Sequence, residues 1–455
     1  MGDRALRLDG APPAPSTLTG LATPSGEHAA AGGWTFRTAY TLGFLTLIYA
    51  FNTADRNIFG LLMPLMKSEM HVSDTMLGFL SGFAFACFYA LAGIPIAYLS
   101  ERWSRRNIIA IGFVVWSVMT VATGFVQNIV QLTLARFMLG AGEAGGIAPS
   151  NSMIGDLFDR RRRTVALSIL QCANSLGILV AFPLIGWIAA QHGWRSAYIA
   201  AGLPGLALGV LFVLTVREPR RGQTDDLAQG QAPPSPQAFL PLVRKLIASR
   251  PYLLAATATT LLAINLSGMQ TWTPTFLMRV HHLEPQLVGS YIGAIRGPTG
   301  IAGAVFGGLV TSWMARRDNR WLVWTPAIFI FLIGLADLVL LWSDGGGGWK
   351  LGMAIETFCT SAQVGPMFGL LLAAADSRSR AMATAATMLV VYLVGLTVGP
   401  LAVGALNDLL QPYLGGGGIR YSMLAVASTA AMAGLVLLSI GRLDGDQRSL
   451  PPARN

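Results

Sequence analysis

The stretch Ala97-Tyr-Leu-Ser-Glu101-Arg102-Trp-Ser-Arg105-Arg106 gathers an acid and its arginines between two apolar runs, 75–99 and 107–126. A helix needs about 20 apolar residues to cross a hydrocarbon core about 30 Å thick. Charge confined to a short loop between two runs of that length describes a chain turning back at a membrane surface. Outward from this loop the pattern repeats. Further runs lie at 39–63, 130–153, 164–189 and 195–216, and after a polar interval at 252–276, 287–313, 321–342, 350–374, 381–407 and 420–441. Composition agrees: 53% of residues are hydrophobic, 12% are charged and mean hydropathy is +0.54, whereas a soluble domain is about a quarter charged. The expectation is an all-α membrane protein of twelve transmembrane helices, and not a soluble enzyme.

Lysine and arginine set the orientation. With both termini cytoplasmic, the inner segments hold Arg37, the Arg102–Arg106 loop, Arg160 to Arg163, the Arg217–Arg250 interval, Arg316 to Arg320, Arg378 and Arg380, and Arg442 onward. This is the bias of cytoplasmic loops, so the protein is expected in the plasma (inner) membrane. The net charge of +10 is spent on these loops, and no nucleic-acid partner is expected. Residues 1–35 are rich in Ala, Pro, Gly, Ser and Thr without an apolar core, which reads as a disordered tail and not a signal peptide. The three cysteines fall inside apolar runs, with neither disulfide nor metal spacing. Gly140-Ala-Gly142-Glu-Ala-Gly145 spells a dinucleotide-binding pattern but lies mid-span with no preceding strand, so close helix packing explains it.

The chain also repeats itself. Pro149 and the downstream Asp159-Arg-Arg-Arg-Arg-Thr match Pro366 and Asp376-Ser-Arg-Ser-Arg-Ala, and Pro183-Leu-Ile-Gly186 matches Pro400-Leu-Ala-Val-Gly404. Tandem halves in one orientation give a 6+6 pseudo-two-fold arrangement with the site between them near mid-bilayer. The expected divisions are a cytoplasmic tail at 1–35 and a first bundle at 36–216. A cytoplasmic linker with an amphipathic helix follows at 217–250, then a second bundle at 251–441 and a tail at 442–455.

Ionisable residues inside spans are costly and face a cavity or a partner. At 1.5 Å per residue, Asp55 lies roughly 9–12 Å from the outer end of its span and Arg136 about 9 Å from the outer end of an antiparallel one. They stand at matching depth, and Glu143 is two turns deeper on the face of Arg136. The arginine keeps its charge while a desolvated carboxylate can take a proton. One reading is a proton switch, with Asp55 either paired to Arg136 or neutral with Arg136 released toward Glu143 or substrate. The other is a static ion pair between spans. Arg56, Arg136 and Arg296, with Asn265 and Gln270, are the candidate substrate contacts, because guanidinium forks match phosphate and carboxylate heads. Arg296 could instead pair with Glu356.

The Ala97–Arg106 loop resembles the loop signature of the major facilitator superfamily, with Ala97 and Ser104 where glycine is usual. That resemblance implies a cytoplasmic gate built from Glu101, Arg102, Arg105 and Arg106. In the second half Ser312-Trp313 replaces the acid–base pair. Within the superfamily the sequence is similar to spinster-like transporters, through Asn52-Thr-Ala-Asp55-Arg56, Ser73-Asp-Thr-Met-Leu-Gly-Phe-Leu-Ser-Gly and Ala135-Arg136-Phe-Met-Leu-Gly-Ala-Gly-Glu143, with Asp156-Leu-Phe and Gly193-Trp-Arg-Ser-Ala-Tyr. The resemblance implies a secondary transporter working by alternating access on an amphiphilic anionic or zwitterionic lipid, of lysophospholipid or sphingoid-phosphate type. Protons are the expected coupling ion, with no cofactor or metal, membrane lipids as partners and a monomeric state. A proton-coupled carrier of a small organic anion such as a sugar acid is the alternative. A non-transporting receptor or sensor is the reading from another class.

Overall fold

The computed structural model describes residues 33–222, 248–318, 320–343, 345, 347–373 and 386–446. Nearly all of the expected N-terminal tail lies outside those residues. So do the amphipathic part of the linker, the basic segment around Arg378 and Arg380, and most of the C-terminal tail.

Among the described residues every regular element is helical. Helix α1 (Phe36–Met70) opens on a capping box, in which Thr35 and Thr38 satisfy each other's backbone amides, and closes on His71 in the left-handed region. Ser73 caps the short α2 (Asp74–Ser81), and after a break at Gly82 the chain continues as α3 (Phe83–Arg102). Ser104 caps α4 (Arg105–Thr123). The run at 130–153 is two helices, α5 (Ile129–Glu143) and α6 (Ile147–Leu157), separated by a turn at Ala144-Gly145-Gly146. Helix α7 (Arg160–Thr215) carries the next two runs and bends at Gly193, whose φ of 77° suits a residue without Cβ. The remainder are α8 (Arg250–Val280), α9 (Pro285–Ala315), α10 (Trp321–Trp342), α11 (Gly348–Ala373), α12 (Leu396–Leu414), entered through a π-helical turn at Val391–Gly395, and α13 (Gly418–Asp446).

Among the described residues, six stretches are long and apolar enough to cross a membrane by length and composition: Asp74–Arg102, Arg105–Thr123, Arg162–Thr215, Arg250–Val280, Trp321–Trp342 and Ala386–Ser439. The helices carrying Asp55, Arg136, Glu143, Arg296 and Glu356 are not among them. Helix α5, with Arg136 and Glu143, is only 15 residues long, and in the others polar residues lower the hydropathy that marks a span. Large apolar side chains such as Leu47, Val180, Leu214, Phe331 and Leu435 face outward, an arrangement that water would oppose and lipid favours.

One core cluster, with Phe85, Trp116, Phe158 and Phe212, lies within α1–α7. A second, with Tyr252, Ile330, Cys359 and Leu437, lies within α8–α13. A third joins the two sets through Phe59, Leu62, Phe182, Trp272 and Phe276. The junction is closest where glycines let backbones meet. A Cβ on Gly60 would lie 2.5 Å from the Thr271 carbonyl, on Gly78 2.4 Å from that of Pro400, and on Gly404 2.3 Å from that of Asp74. All three contacts lie toward the ends of the helices remote from Arg102–Arg106. The helix sets are therefore pressed together at the far face.

Candidate functional site

Asp55 and Arg56 follow one another in the middle of α1 and point to different neighbours. The Asp55 carboxylate, 3% exposed, accepts from Trp116 Nε1 at 2.9 Å and from Thr120 Oγ1 at 2.9 Å. Trp116 and Thr120 are one turn apart on α4, so both donors sit on one face. The Arg56 guanidinium turns instead to Glu143, with Nη2 at 2.5 Å and Nε at 3.2 Å from the same carboxylate oxygen, Oε1. Phe85 and Tyr89 flank it, 4.8 and 5.8 Å from ring centre to guanidinium carbon. Glu143 is the last residue of α5. The turn that follows lets its side chain meet α1, and its other oxygen, Oε2, has no protein partner.

Arg136 does not form the expected pair with Asp55. It is 1% exposed, stacks over Phe59 at 4.3 Å, and neither Nη1 nor Nη2 reaches an acceptor. Helical rise placed Asp55 and Arg136 at one depth, but the direction around each axis decides which side chains meet. That direction gave Asp55 to α4 and Glu143 to Arg56. In this arrangement the Arg136 Nη groups pair with neither Asp55 nor Glu143.

Arg296 takes the alternative partner. It is buried, with Nη2 3.4 Å from Glu356 Oε2 and 3.3 Å from Thr273 Oγ1. Asn265 is fully buried and donates to Asp337 Oδ2 at 2.8 Å. The second helix set thus holds its own charged cluster, at positions unrelated to Asp55, Arg136 and Glu143 by the repeat.

Between the two sets lies a cavity of about 60 Å³ walled by α1, α2, α3, α8 and α12, with Arg56, Asn57, Ser81, Ser267, Gln270 and Thr271 as its polar lining. Of the expected substrate contacts, it brings together Arg56 and Gln270. Arg136, Arg296 and Asn265 lie outside it. The Arg56 side chain keeps 27% of its surface open, against 1% for Glu143. Ser81, Ser267 and Thr271 were missed because lone hydroxyls in apolar runs carry no spacing signal. A larger, mainly apolar cavity of about 490 Å³ lies against the other side of the same α1 segment, lined by Ala54, Asp55, Ile58, Thr120, Leu176 and Val180 among others.

At the Ala97–Arg106 loop, Arg105 is the buried centre. It pairs with Asp156 at 2.5 Å and Glu218 at 3.3 Å, and donates to the Ser152 hydroxyl and the Pro219 carbonyl. The acid that meets the first-turn amides of α4 is Glu218, which accepts from the Arg105 amide at 2.8 Å and from the Ser104 hydroxyl. Glu101 is exposed, and among the described residues its carboxylate has no partner. Its main-chain oxygen, with those of Ser100 and Trp103, accepts from Arg221. Arg102 lies over Tyr98 at 4.3 Å, and Arg106 reaches the Val213 and Val216 carbonyls. The expected gate acid is replaced because Glu101 ends α3 facing outward, while the chain after α7 returns Glu218 to the α4 N-terminus. Burial pushes the Glu218 carboxyl up, but the Ser104 and Arg105 donors outweigh it and hold it below the ordinary carboxylate value.

The far face carries a tie between the helix sets. Asp74, wholly buried, pairs with Lys67 at 2.7 Å and in two-pronged fashion with Arg279 of α8 at 2.5 and 2.8 Å. Asp408 of α12 accepts from the Asp74 and Thr75 amides at 3.0 and 2.7 Å, where an acid at a helix N-terminus is favoured.

Comparison with known proteins agrees with this architecture. Residues 45–400 match the Major Facilitator Superfamily profile. An MFS-type efflux pump of Mycolicibacterium smegmatis is 26% identical over 399 residues, covering 87% of this chain and 90% of that protein. The sphingosine-1-phosphate transporter SPNS2 of Xenopus tropicalis is 25% identical over 420 residues, covering 86% and 78%. A bacterial homologue of the human lysosomal transporter spinster, solved in an inward-facing, unoccupied conformation, superposes with a TM-score of 0.80 at 24% identity, over 92% of this chain and all of that one; that likeness concerns the fold. The chain belongs to the Major Facilitator Superfamily and is a spinster-like membrane transporter, not an enzyme.

Proposed function

We propose that the protein is a proton-coupled carrier of twelve crossings in two six-helix bundles, 36–216 and 251–441, moving an amphiphile with an anionic or zwitterionic head by alternating access. The bias of basic residues to one set of loops favours cytoplasmic termini; the far face is then the outer one, in a carrier of the plasma membrane. Protons are the coupling ion. The carrier acts as a monomer among membrane lipids.

The observation that carries the reading is the Arg56–Glu143 pair at the edge of the cavity between the bundles, with only the arginine reaching the cavity. An anionic head entering there competes with Glu143 for the guanidinium fork. Glu143 would then be a buried charge without its partner, an arrangement costing several kcal/mol, and a proton relieves it. Substrate and proton therefore bind together. Arg136, with both Nη groups lacking acceptors, is the cation for which the ionised Asp55 and Glu143 compete once the proton has left. Gln270 gives the head a neutral contact. Arg296 is held back by Glu356 and serves the second bundle. The likeness to the sphingosine-1-phosphate transporter SPNS2 over 86% of this chain favours an amphiphile over a sugar acid.

Proteoliposomes test the proposal with lysophospholipids, sphingoid phosphates and sugar acids as cargo. The Glu143→Gln and Asp55→Asn variants should keep counterflow exchange and lose transport driven by a pH gradient. Gradient-driven transport surviving in both variants would refute proton coupling at these acids. Transport of sugar acids alone would refute the lipid reading.

A further inference from the structure

Next to the Arg56–Glu143 pair, on its basic-face side, is a small cavity that the carrier cycle above does not use. It is about 20 Å³ and is bounded by α1 (Tyr49, Asn52), α4 (Phe113, Trp116), the α5–α6 turn (Glu143, Gly146, Ser150) and α7 (Leu170, Gln171). Two of its lining oxygens are orphans: Asn52 Oδ1 and Glu143 Oε2 have no hydrogen-bond partner, although their residues are 5% and 2% exposed. Both are acceptors only. A molecule satisfying both must donate two hydrogens and be small. A cavity of at least 10–15 Å³ holds one water, and a buried water needs about two to four polar partners.

We infer that this chamber binds a single water bridging Asn52 and Glu143, and that this water is the proton port of Glu143 toward the cytoplasm. The inference deepens the coupling role proposed for Glu143 and rests on it. The two carboxylate oxygens then have separate tasks. Oε1 faces Arg56, and Oε2 faces the port. A proton arriving from the cytoplasmic side passes through the water: one O–H bond of the transiently protonated water breaks, one forms on Oε2, and a neutral water remains. Release runs in reverse. Arg56 need not leave Oε1 for the proton to arrive, so protonation can precede exchange of Arg56 to the substrate head. Asn52 is a positioning residue, holding the water at the oxygen that titrates.

The groups facing Glu143 are compatible with this route. They are Arg56 and Tyr49 on α1, Tyr89 on α3 and Tyr392 beside Arg56, with Asp55 and Arg136 farther off. On the port side the walls from α4 and α7 are neutral: Trp116 is committed to Asp55, and Gln171 is an amide. The Ser150 hydroxyl is committed to the Gly146 carbonyl at 2.7 Å. Among the described residues, Asn52 Oδ1 and Glu143 Oε2 are the buried side-chain atoms of this lining left without a partner.

The test pairs structure with flux. A map of the full chain at water-resolving resolution should show density bonded to Asn52 Oδ1 and Glu143 Oε2, and Asn52→Leu should remove it. Absence of that density in the wild type overturns the site. In proteoliposomes, Asn52→Leu should leave substrate affinity and counterflow unchanged while slowing pH-gradient-driven transport by about tenfold or more, and Asn52→Ser should restore part of it. Gradient-driven transport at the wild-type rate in Asn52→Leu overturns the port. Should the wild type itself ignore a pH gradient, the coupling proposal fails and the port with it. The map still decides the water independently.

Discussion

Between Asp55 and Arg56 a helix turns about 100°, and that rotation sends the acid to α4 and the base to α5. Asp55 ends against two neutral donors, Trp116 and Thr120, in a site closed to solvent. Hydrogen bonds to a buried charge are worth about 1.5–3 kcal/mol each. Trp116→Phe and Thr120→Val should therefore each lower thermal stability by roughly that amount. The double variant should lose more than the sum, because it leaves a buried carboxylate with no donor; calorimetry of the four proteins reads the cycle. That Asp55, Arg136 and Glu143 stand out as ionisable side chains within apolar runs was legible in the sequence, and the structure buries all three. Which pairs they form was not. Helical rise supplies depth, but partner choice needs the azimuth of two helices, and that is set by packing around Phe59, Phe85 and Trp116 far apart in the chain.

At the scale of elements, the loop at Glu101–Arg106 shows a similar division. Its charge pattern marked a gate, yet the acid capping α4 arrives from Glu218, more than a hundred residues downstream. No local spacing announces that return. With the folded Glu218 carboxyl held below its ordinary value, the stability it contributes is fully present above that ordinary value and is lost as pH falls through the depressed one. Glu218→Gln should lower stability by about 1 kcal/mol at neutral pH, the usual worth of a cap. The gap to wild type should close on acidification below pH 4.5, as thermal unfolding across a pH series would register. Breaks in helices were also hidden. Gly82 and Ala144-Gly145-Gly146 sit inside runs apolar enough to be read as continuous spans. At the α2–α12 seam, a Cβ on Gly404 would lie 2.3 Å from the Asp74 carbonyl. Gly404→Ala should push these helices apart and widen spin-label distances across the far face, while leaving distances within each bundle unchanged.

For the molecule as a whole, the apolar runs and basic loops were enough to indicate a membrane carrier, and the tandem repeat pointed to a site between halves. The far-face tie of Asp74 with Arg279 and Asp408 with α2 was not foreseen, because its members come from three segments far apart in the chain. Arg56 is left at a cavity between the two helix sets with Glu143 behind it, and the proposed coupling of cargo to protons rests on that single competition. The most direct measurement is proton uptake by the purified carrier when an anionic amphiphile is added, read with a pH indicator in weakly buffered detergent solution. Uptake of about one proton per bound ligand is expected in the wild type and none in Glu143→Gln at matched occupancy. Ligand binding to the wild type with no proton uptake would contradict the proposed coupling.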